Sequence, residues 1–390
     1  MPRLLFVLSL LFIFSCDDPV SSSNPLPTKL YVCDQGSDRV VILDASTDNL
    51  SQLDAIDINF SDDQNPEIPH FIAIDETHGY WFVTAFQSGF VGMYDLDQDT
   101  LIHAIDLGSG SAPALLAVDE DNQMLYVSKM MTQGIMQGGD DELGALDYSS
   151  GQLVDAGSIS LVDEEDNLSF PEPHAISIAL EPPRGLNLVT ASFTADWFSM
   201  IKLDAEEGEI DPQPYPFNYE DSAVIVKNEL FPLSVTQKDN YLFFSCRGSV
   251  DSGINGQVQS WSVISTTKKD TFSFGTSRPW HIIASPTKSE IFVVLSGDSE
   301  TSSSAGLSCL TYDEDGKLSE KWPIITDSDF DTLHGVTVSS DGTRVYVSSR
   351  GNGSIHVIDA LSGTLLNTVE GIGMNMDIDM GSLSGIAIIQ

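Results

Sequence analysis

The sequence is poor in basic residues. It has 17 Lys and Arg against 58 Asp and Glu, which gives a formal net charge of −41 at pH 7. Nucleic acids and anionic lipid surfaces hold proteins through basic patches, so this balance excludes nucleic acid and argues against charge-driven membrane binding. Such acidity favours solubility, and we expect a monomer.

Long hydrophobic runs are also scarce, and one stands out at the N-terminus. Leu4–Phe14 is apolar except for Ser9, follows Arg3 and precedes Ser15. The run is too short for a permanent membrane-spanning helix and is typical of a signal-peptide core.

The end of that run carries a resemblance. Ile13-Phe14-Ser15-Cys16 resembles a bacterial lipobox, which implies cleavage before Cys16 and lipid attached to it. The alternative is an ordinary signal peptide with an incidental cysteine. We therefore expect a signal peptide at 1–15 and a flexible, Pro/Ser-rich tether at 16–28. The protein would be anchored by lipid in the bacterial cell envelope, with the outer membrane or cell surface favoured over the inner membrane.

Cysteine is rare as well. The chain has four, and cleavage before Cys16 would leave Cys33, Cys246 and Cys309 besides the lipidated one. Three thiols cannot all pair within the chain, so at least one is predicted to be free.

What the sequence does have is an internal repeat. Its clearest copy is LHGVTVSSDGTRVYVSSRGNGSIHVIDALSGTLLNTV (Leu333–Val369), in which SDGT, RGNGS and ALSG separate four short runs of β-branched or alternating residues. These are hairpin signals, and the unit predicts a four-stranded antiparallel meander. The opening of this unit recurs as PHFIAID at Pro69, PALLAVD at Pro113, PHAISIA at Pro173, PLSVTQ at Pro232, PWHIIASP at Pro279 and LSGIAI at Leu383.

The last opening has no second strand after it, whereas KLYVCD, at Lys29–Asp34, is a second strand with no opening before it. The two halves complete each other if the C-terminal strand pairs with the N-terminal blade. The sequence thus predicts an all-β, seven-bladed propeller over residues 29–390, built of four-stranded antiparallel blades.

The repeats resemble the YVTN-repeat family of propellers, whose blades follow the pattern PHGVAVSPDGKRLYVTN…VSVIDTATGKVV. The resemblance covers nearly the whole mature chain and implies the propeller fold. It says little about function, since related propellers include surface-layer proteins, reductase domains and bacterial lactonases.

Candidate functional residues gather at one face of the predicted ring, which we call the top face. It holds the start of each first strand, the turn after each second strand and most of the long loops, where binding residues usually lie. His70, His174 and His334 share one repeat position, while Trp280 takes it in another blade and His281 follows.

These histidines allow two interpretations. With methionines from two loops they would form a soft-metal site that suits copper; the methionines are Met130, Met131, Met374 and Met376. Alternatively, each imidazole packs between blades and bonds a neighbouring carbonyl.

Two further patterns concern the same face. Arg247 and Arg350 share a repeat position and are candidates for holding an anionic ligand, unless they only stabilise turns. TSRPWHIIASP (Thr276–Pro286) resembles a lactonase pattern, but Trp280 stands where that family has arginine beside the histidine. Asp95–Asp106 opens like a calcium loop but lacks its glycine and glutamate, so a hairpin turn is expected.

The sequence therefore favours a non-enzymatic module that binds a protein or small molecule through its top-face loops. A copper-binding protein and a lactonase-like hydrolase are the alternatives.

Overall fold

The computed structural model describes residues 28–61, 65–108, 110–130, 142–161, 172–181, 185–203, 213–217, 229–297, 303–373 and 382–389. These contain 28 strands in seven four-stranded antiparallel sheets. In the described ranges the sole helical segment is one 3-10 turn, Gln35–Ser37, and no helix is long and apolar enough to cross a membrane. The predicted all-β, seven-bladed propeller is confirmed.

The strands in chain order are β1 (Lys29–Asp34), β2 (Arg39–Asp44), β3 (Ser51–Asp57), β4 (Pro69–Asp75), β5 (Tyr80–Ala85), β6 (Phe90–Asp95), β7 (Leu101–Asp106), β8 (Pro113–Asp119), β9 (Met124–Lys129), β10 (Glu142–Asp147), β11 (Val154–Ser160), β12 (Pro173–Glu181), β13 (Gly185–Ser192), β14 (Trp197–Lys202), β15 (Gln213–Pro216), β16 (Pro232–Lys238), β17 (Tyr241–Cys246), β18 (Gln257–Ser262), β19 (Lys268–Ser273), β20 (Pro279–Ala284), β21 (Glu290–Leu295), β22 (Gly306–Tyr312), β23 (Leu318–Ile325), β24 (Leu333–Val338), β25 (Arg344–Ser349), β26 (Ser354–Asp359), β27 (Leu365–Val369) and β28 (Leu383–Ile388).

Each sheet is one blade of the propeller. Blade 1 has the order β28-β1-β2-β3, and blades 2 to 7 follow as successive groups of four from β4–β7 to β24–β27. The first strand of each order lies innermost, next to the axis, and contacts the innermost strands of both neighbouring blades. The seven innermost strands therefore form a closed ring.

Ring closure takes place in blade 1, as the sequence predicts. Val32 and Ile386 are register partners, and the Ile389 N–H donates to the Lys29 carbonyl at 3.0 Å. Pairing of β28 with β1 covers the inner edge of β1 and completes the fourth strand of the blade.

The hydrophobic core lies between blades. In the described residues it divides into seven clusters, each filled by side chains of two neighbouring blades. Between blades 1 and 2, for example, Trp81 stacks on Tyr94 with ring centroids 3.9 Å apart and contacts Tyr31 across the interface. Every blade thus depends on its neighbours for burial of its faces, and the ring folds as one unit.

Aspartates cap the turns that follow third strands. Asp44, Asp95 and Asp359 end third strands, and each carboxylate accepts a backbone N–H from the next turn at 2.7–3.0 Å. The calcium-like stretch is therefore a hairpin turn, because Asp95 is occupied by the amides of Asp97 and Gln98.

Candidate binding site at the axial mouth

Every innermost strand is irregular at its top-face end. In blade 2, Pro69 pairs with Ala85 but Ile72 pairs with Val83, so His70 and Phe71 together face Thr84. The same one-residue shift follows the first residue of the other innermost strands, at Pro113, Pro173, Pro232, Pro279, Leu333 and Leu383. A bulge of this kind bends the strand and re-aims side chains.

Hydroxyl groups of the second strands fix these bulges and join the blades. Thr84 accepts the Phe71 N–H at 3.0 Å and donates to the Ala114 carbonyl of the next blade at 3.0 Å. Ser348 does the same, accepting from Gly335 at 2.8 Å and donating to Ser384 at 2.6 Å. The residues at the top of the axis are thus held by neighbours on two sides.

Glycine is required where the innermost strands approach most closely. A Cβ on Gly335 would clash with the Ser384 carbonyl oxygen, and one on Gly385 would lie 2.6 Å from that of His70. This explains the glycine in the third position of LHGVTV and LSGIAI.

A ring of seven residues surrounds the axis above the bulges. Each follows the second strand of its blade and donates its backbone N–H to the residue preceding the innermost strand. The pairs are Gln35 to Ser382 (2.7 Å), Phe86 to Ile68 (3.0 Å), Met130 to Ala112 (3.1 Å), Phe193 to Glu172 (2.9 Å), Arg247 to Phe231 (3.0 Å), Ser296 to Arg278 (2.9 Å) and Arg350 to Thr332 (3.0 Å). We call these seven donors the mouth ring.

Beneath the mouth ring, four imidazoles meet across the axis. They come from blades 2, 4, 6 and 7, and we call them the four-histidine cluster: His70, His174, His281 and His334. Ring centroids are 6.4 Å apart for His70–His174 and for His174–His281, 4.7 Å for His281–His334 and 5.6 Å for His334–His70. Although His281 is one residue further along its strand, the bulge of β20 brings it into the same closed cycle.

The cluster is buried and uncharged at neutral pH. Burial lowers the pKa of His174 to about 4 and that of His281 to about 3. Burial, with repulsion from neighbouring imidazoles and Arg350, also holds the pKa values of His70 and His334 well below the usual range. At pH 7 these side chains are neutral donors and acceptors of hydrogen bonds.

Hydrogen bonding within the cluster is incomplete. His174 donates from Nδ1 to the Leu233 carbonyl at 2.6 Å, and the Gln35 amide contacts Nδ1 of His70 at 2.9 Å. His281 Nε2 and His334 Nδ1 are buried without a hydrogen-bond partner in the described part of the chain. The expected bond to a neighbouring carbonyl is therefore seen for His174, whereas His281 and His334 each retain an unpartnered nitrogen.

Other buried polar atoms at this end also lack partners among the described residues, and two of them are side-chain atoms close to the cluster. They are the indole Nε1 of Trp280 and the Oε1 of Gln35. The Trp280 ring lies 5.5 Å from His334, and the guanidinium of Arg247 lies 5.7 Å above it. These four atoms of Gln35, Trp280, His281 and His334 belong to blades 6, 7 and 1.

The mouth ring has two chemically different arcs. Phe86, Met130 and Phe193 occupy blades 2 to 4, where Phe86 packs on His70 at 5.3 Å and Phe193 on His174 at 6.0 Å. Arg247 and Arg350 occupy blades 5 and 7. The mouth is therefore apolar on one side and rich in hydrogen-bond donors on the other.

Five residues proposed from the sequence remain to be placed. Cys16, Met131, Met374 and Met376 lie outside the described residues, and Met130 is a member of the mouth ring. The three cysteines of the propeller are free, as at least one was predicted to be, and burial raises the pKa of each thiol. Within the described ranges, no group of three or more His, Cys, Asp or Glu side chains is arranged to hold a metal ion.

Sequence reasoning missed Gln35, Phe86 and Phe193. The signal was available, because all three occupy the repeat position at which Arg247 and Arg350 were found. Aligning that position in all seven repeats would have shown both arcs.

No family model matches the chain, and no curated protein sequence matches it. Solved structures do resemble its fold. The Pseudomonas aeruginosa periplasmic gluconolactonase PpgL has a TM-score of 0.67 at 14% identity, covering 93% of this chain and 99% of that one.

A Bacteroides fragilis protein whose assignment as a 6-phosphogluconolactonase is unproven gives 0.65 at 12% identity, covering 96% of this chain and 100% of that one. Kuenenia stuttgartiensis hydrazine synthase gives 0.61 at 14% identity, covering 85% and 97%. At such low identity the likeness establishes the propeller fold alone.

Proposed function

We propose that this protein is a lipid-anchored propeller of the bacterial cell envelope that binds a small molecule at the mouth of its axis. The observation that carries the proposal is the four-histidine cluster, in which four neutral imidazoles from four blades meet beneath the mouth ring and two keep unpartnered nitrogens.

Unpartnered polar atoms of this kind are costly. Leaving a buried donor or acceptor without a partner costs about 1–3 kcal/mol, so native proteins rarely retain one without a reason. Four such atoms at the top of the axis, Gln35 Oε1, Trp280 Nε1, His281 Nε2 and His334 Nδ1, amount to a site whose hydrogen bonds a ligand would complete.

A metal ion is a weaker candidate for this site. Neutral imidazoles are ligands that suit copper and zinc, but the positive charge of Arg350 is close enough to disfavour further charge on His70 and His334. A guanidinium beside the site favours anionic or neutral ligands over a cation.

A hydrolase is also a weaker candidate. Burial and His174 lower the pKa of His281, with no carboxylate of the described residues contributing. A general base is usually oriented and stabilised by such a partner. The binding function requires none.

Binding is tested by isothermal titration of the mature domain with four probes: D-glucono-1,5-lactone, 3-phenylpropionate, inorganic phosphate and Cu(I). We expect at least one of the first three to bind, and its binding to be lost in His334→Leu but retained in His78→Leu. His78 is on the opposite face, bonded to Asp75. Binding of none of the four, or equal binding by both variants, would contradict the proposal; Cu(I) alone would support the copper alternative instead.

The anchor is tested separately. Cells expressing the full chain would be labelled with an alkyne analogue of palmitate, and Cys16→Ser would be compared with Cys309→Ser. Label and membrane association should be lost in Cys16→Ser only; label retained in that variant would exclude lipidation at Cys16.

A further inference from the structure

We propose that the ligand of the axial mouth is an uncharged, polyhydroxylated ring of the pyranoside type. Its hydroxyl groups would bond the unpartnered atoms, and its C–H faces would pack against aromatic side chains of the mouth. This rests on the proposed function and specifies the chemical class of the ligand.

Two of the unpartnered atoms at the mouth make opposite demands. The indole N–H of Trp280 only donates, so it needs an acceptor, whereas the amide oxygen of Gln35 only accepts, so it needs a donor. Both are buried without a partner among the described residues. A carboxylate offers acceptors alone and an ammonium group donors alone. A hydroxyl group both donates and accepts, and therefore meets both demands.

The two cluster histidines with unpartnered nitrogens favour hydroxyls over groups of fixed polarity. His281 Nε2 and His334 Nδ1 belong to rings whose centroids lie 4.7 Å apart. A nitrogen of a neutral imidazole donates in one tautomer and accepts in the other. Because a hydroxyl rotates, it completes the bond in either case, whereas a carbonyl or an amide N–H suits one tautomer only. Several hydroxyls on one ring therefore suit this pair.

The charges around the mouth disfavour an ionic ligand. Arg247 and Arg350 each have an interaction within the protein, so neither supplies a free positive charge for an anion. The chain as a whole carries a net charge of −41, which repels anions. A cation would instead lie near Arg350, whose charge already helps to lower the pKa values of His70 and His334. An uncharged ligand avoids both penalties.

Aromatic side chains beside the cluster suit the faces of such a ring. The centroid of the Trp280 ring lies 5.5 Å from that of His334. Across the axis, Phe86 packs on His70 at 5.3 Å. Small-molecule sites combine apolar, often aromatic, walls with a few placed polar groups. A pyranose has the matching distribution, because its hydroxyls project from the edge of the ring and its C–H groups form the two faces.

Isothermal titration of the mature domain with matched sugars tests the class. Two uncharged parents, methyl β-D-glucopyranoside and methyl β-D-galactopyranoside, differ in the orientation of one hydroxyl, and we expect at least one to bind. Its fully O-methylated derivative keeps the acceptors but has no donor, and its uronate derivative keeps the ring but adds a negative charge. We expect both derivatives to bind about tenfold or more weakly than the parent, because a buried oxygen without a donor and a desolvated charge are each unfavourable by that much or more.

Matched variants locate the contacts. Trp280→Phe removes the N–H and keeps an aromatic ring, and should weaken parent binding about tenfold. Gln35→Met removes the acceptor, and should reduce the preference for the parent over its O-methylated derivative, because no oxygen is then left without a donor. Trp322→Phe is the control, because its Nε1 is also buried without a partner in the described ranges but lies in an outer strand of the same blade as Trp280. It should change neither the affinity nor the preference.

The outcomes separate the two proposals. Equal affinity for the parent and either derivative, or equal effects of the two tryptophan variants, would overturn the assignment of an uncharged, hydroxyl-bearing ligand. Binding of 3-phenylpropionate, phosphate or gluconolactone that depends on His334, without binding of either parent, would overturn the pyranoside class and leave the binding function standing. If none of the probes binds, both proposals fail.

Discussion

The two faces of the propeller use their buried polar groups differently. On the face opposite the mouth, tyrosines and aspartates join neighbouring blades. Tyr31 donates to Asp99 at 2.8 Å, Tyr148 to Asp75 at 2.7 Å and Tyr312 to Asp239 at 2.6 Å. On the mouth face, His281, His334 and Trp280 each keep one buried nitrogen without a partner in the described residues.

The difference lies in where the unpartnered atoms gather. Both faces belong to the same blades and the same strands, and their backbones are equally regular apart from the bulges. The tyrosine–aspartate pairs of the lower face complete their hydrogen bonds within the protein, although Ser285 Oγ and Glu290 Oε2 lack partners there among the described residues. At the mouth face the unpartnered nitrogens instead gather in one cluster on the axis. Four predictions follow from this contrast, from the largest expected effect to the smallest.

Lowering the pH should destabilise the folded protein mainly by protonating buried histidines of the mouth face. The pKa values of His174 and His281 are lowered in the folded state to about 4 and 3, against about 6.5 when unfolded. The unfolded chain therefore binds more protons, so their contribution to stability is full above pH 6.5 and is lost as pH falls toward 4. The loss is on the order of 3 kcal/mol for each of these histidines.

Thermal unfolding of wild type and His281→Leu between pH 7 and pH 4 measures this effect. The variant should lose less stability over that range. Parallel pH profiles of the two proteins would show that the buried imidazoles are not responsible.

Loss of a lower-face carboxylate should be the next largest effect. Asp75→Ala removes the acceptor of the buried Tyr148 hydroxyl and of His78. We expect a loss of about 3 kcal/mol, because a hydrogen bond to a charged group is lost and a hydroxyl is left unpaired. Urea unfolding measures it, and Asp97→Ala, at an exposed turn, is the control. A loss below that of the control would contradict a structural role for this face.

His174→Leu should cost less. It removes the cluster's imidazole that donates to the Leu233 carbonyl, and leaves that oxygen without the bond. Urea unfolding should show a loss of about 1–2 kcal/mol. A gain in stability would mean that the bond contributes nothing.

His334→Leu should have the smallest effect on stability. It replaces a buried ring whose Nδ1 has no partner among the described residues with an apolar side chain. Removing an unsatisfied polar atom is neutral or stabilising, so we expect the free energy of unfolding to stay within about 1 kcal/mol of wild type or to rise. A loss as large as that of Asp75→Ala would abolish the contrast between the faces.

The fold could be predicted from sequence because its signals repeat. Seven openings with period-2 alternation, and turn residues at fixed offsets, specify blades without knowledge of tertiary contacts. The unpaired opening at Leu383 and the orphan strand at Lys29 specified the ring closure, which the pairing of Val32 with Ile386 confirms.

The site could be predicted only in part. Repeat alignment identified the histidines and the two arginines, but His281 looked displaced by one residue. Its place beside His334 depends on the β20 bulge, which changes register without changing the apolar pattern of the sequence. Which nitrogens lack partners depends on side-chain geometry between blades that are distant in the chain, and no local pattern encodes it.

The closure of blade 1 has one more consequence. β28 supplies the last of the seven walls around the axis, and the Ser384 hydroxyl bonds the His70 carbonyl, more than three hundred residues upstream, at 3.0 Å. The axis stays open on one side until residues 383–388 have been made. A prematurely terminated product would therefore expose an unpaired strand that proteases can reach, so that only full synthesis of the ring yields a mouth able to hold anything.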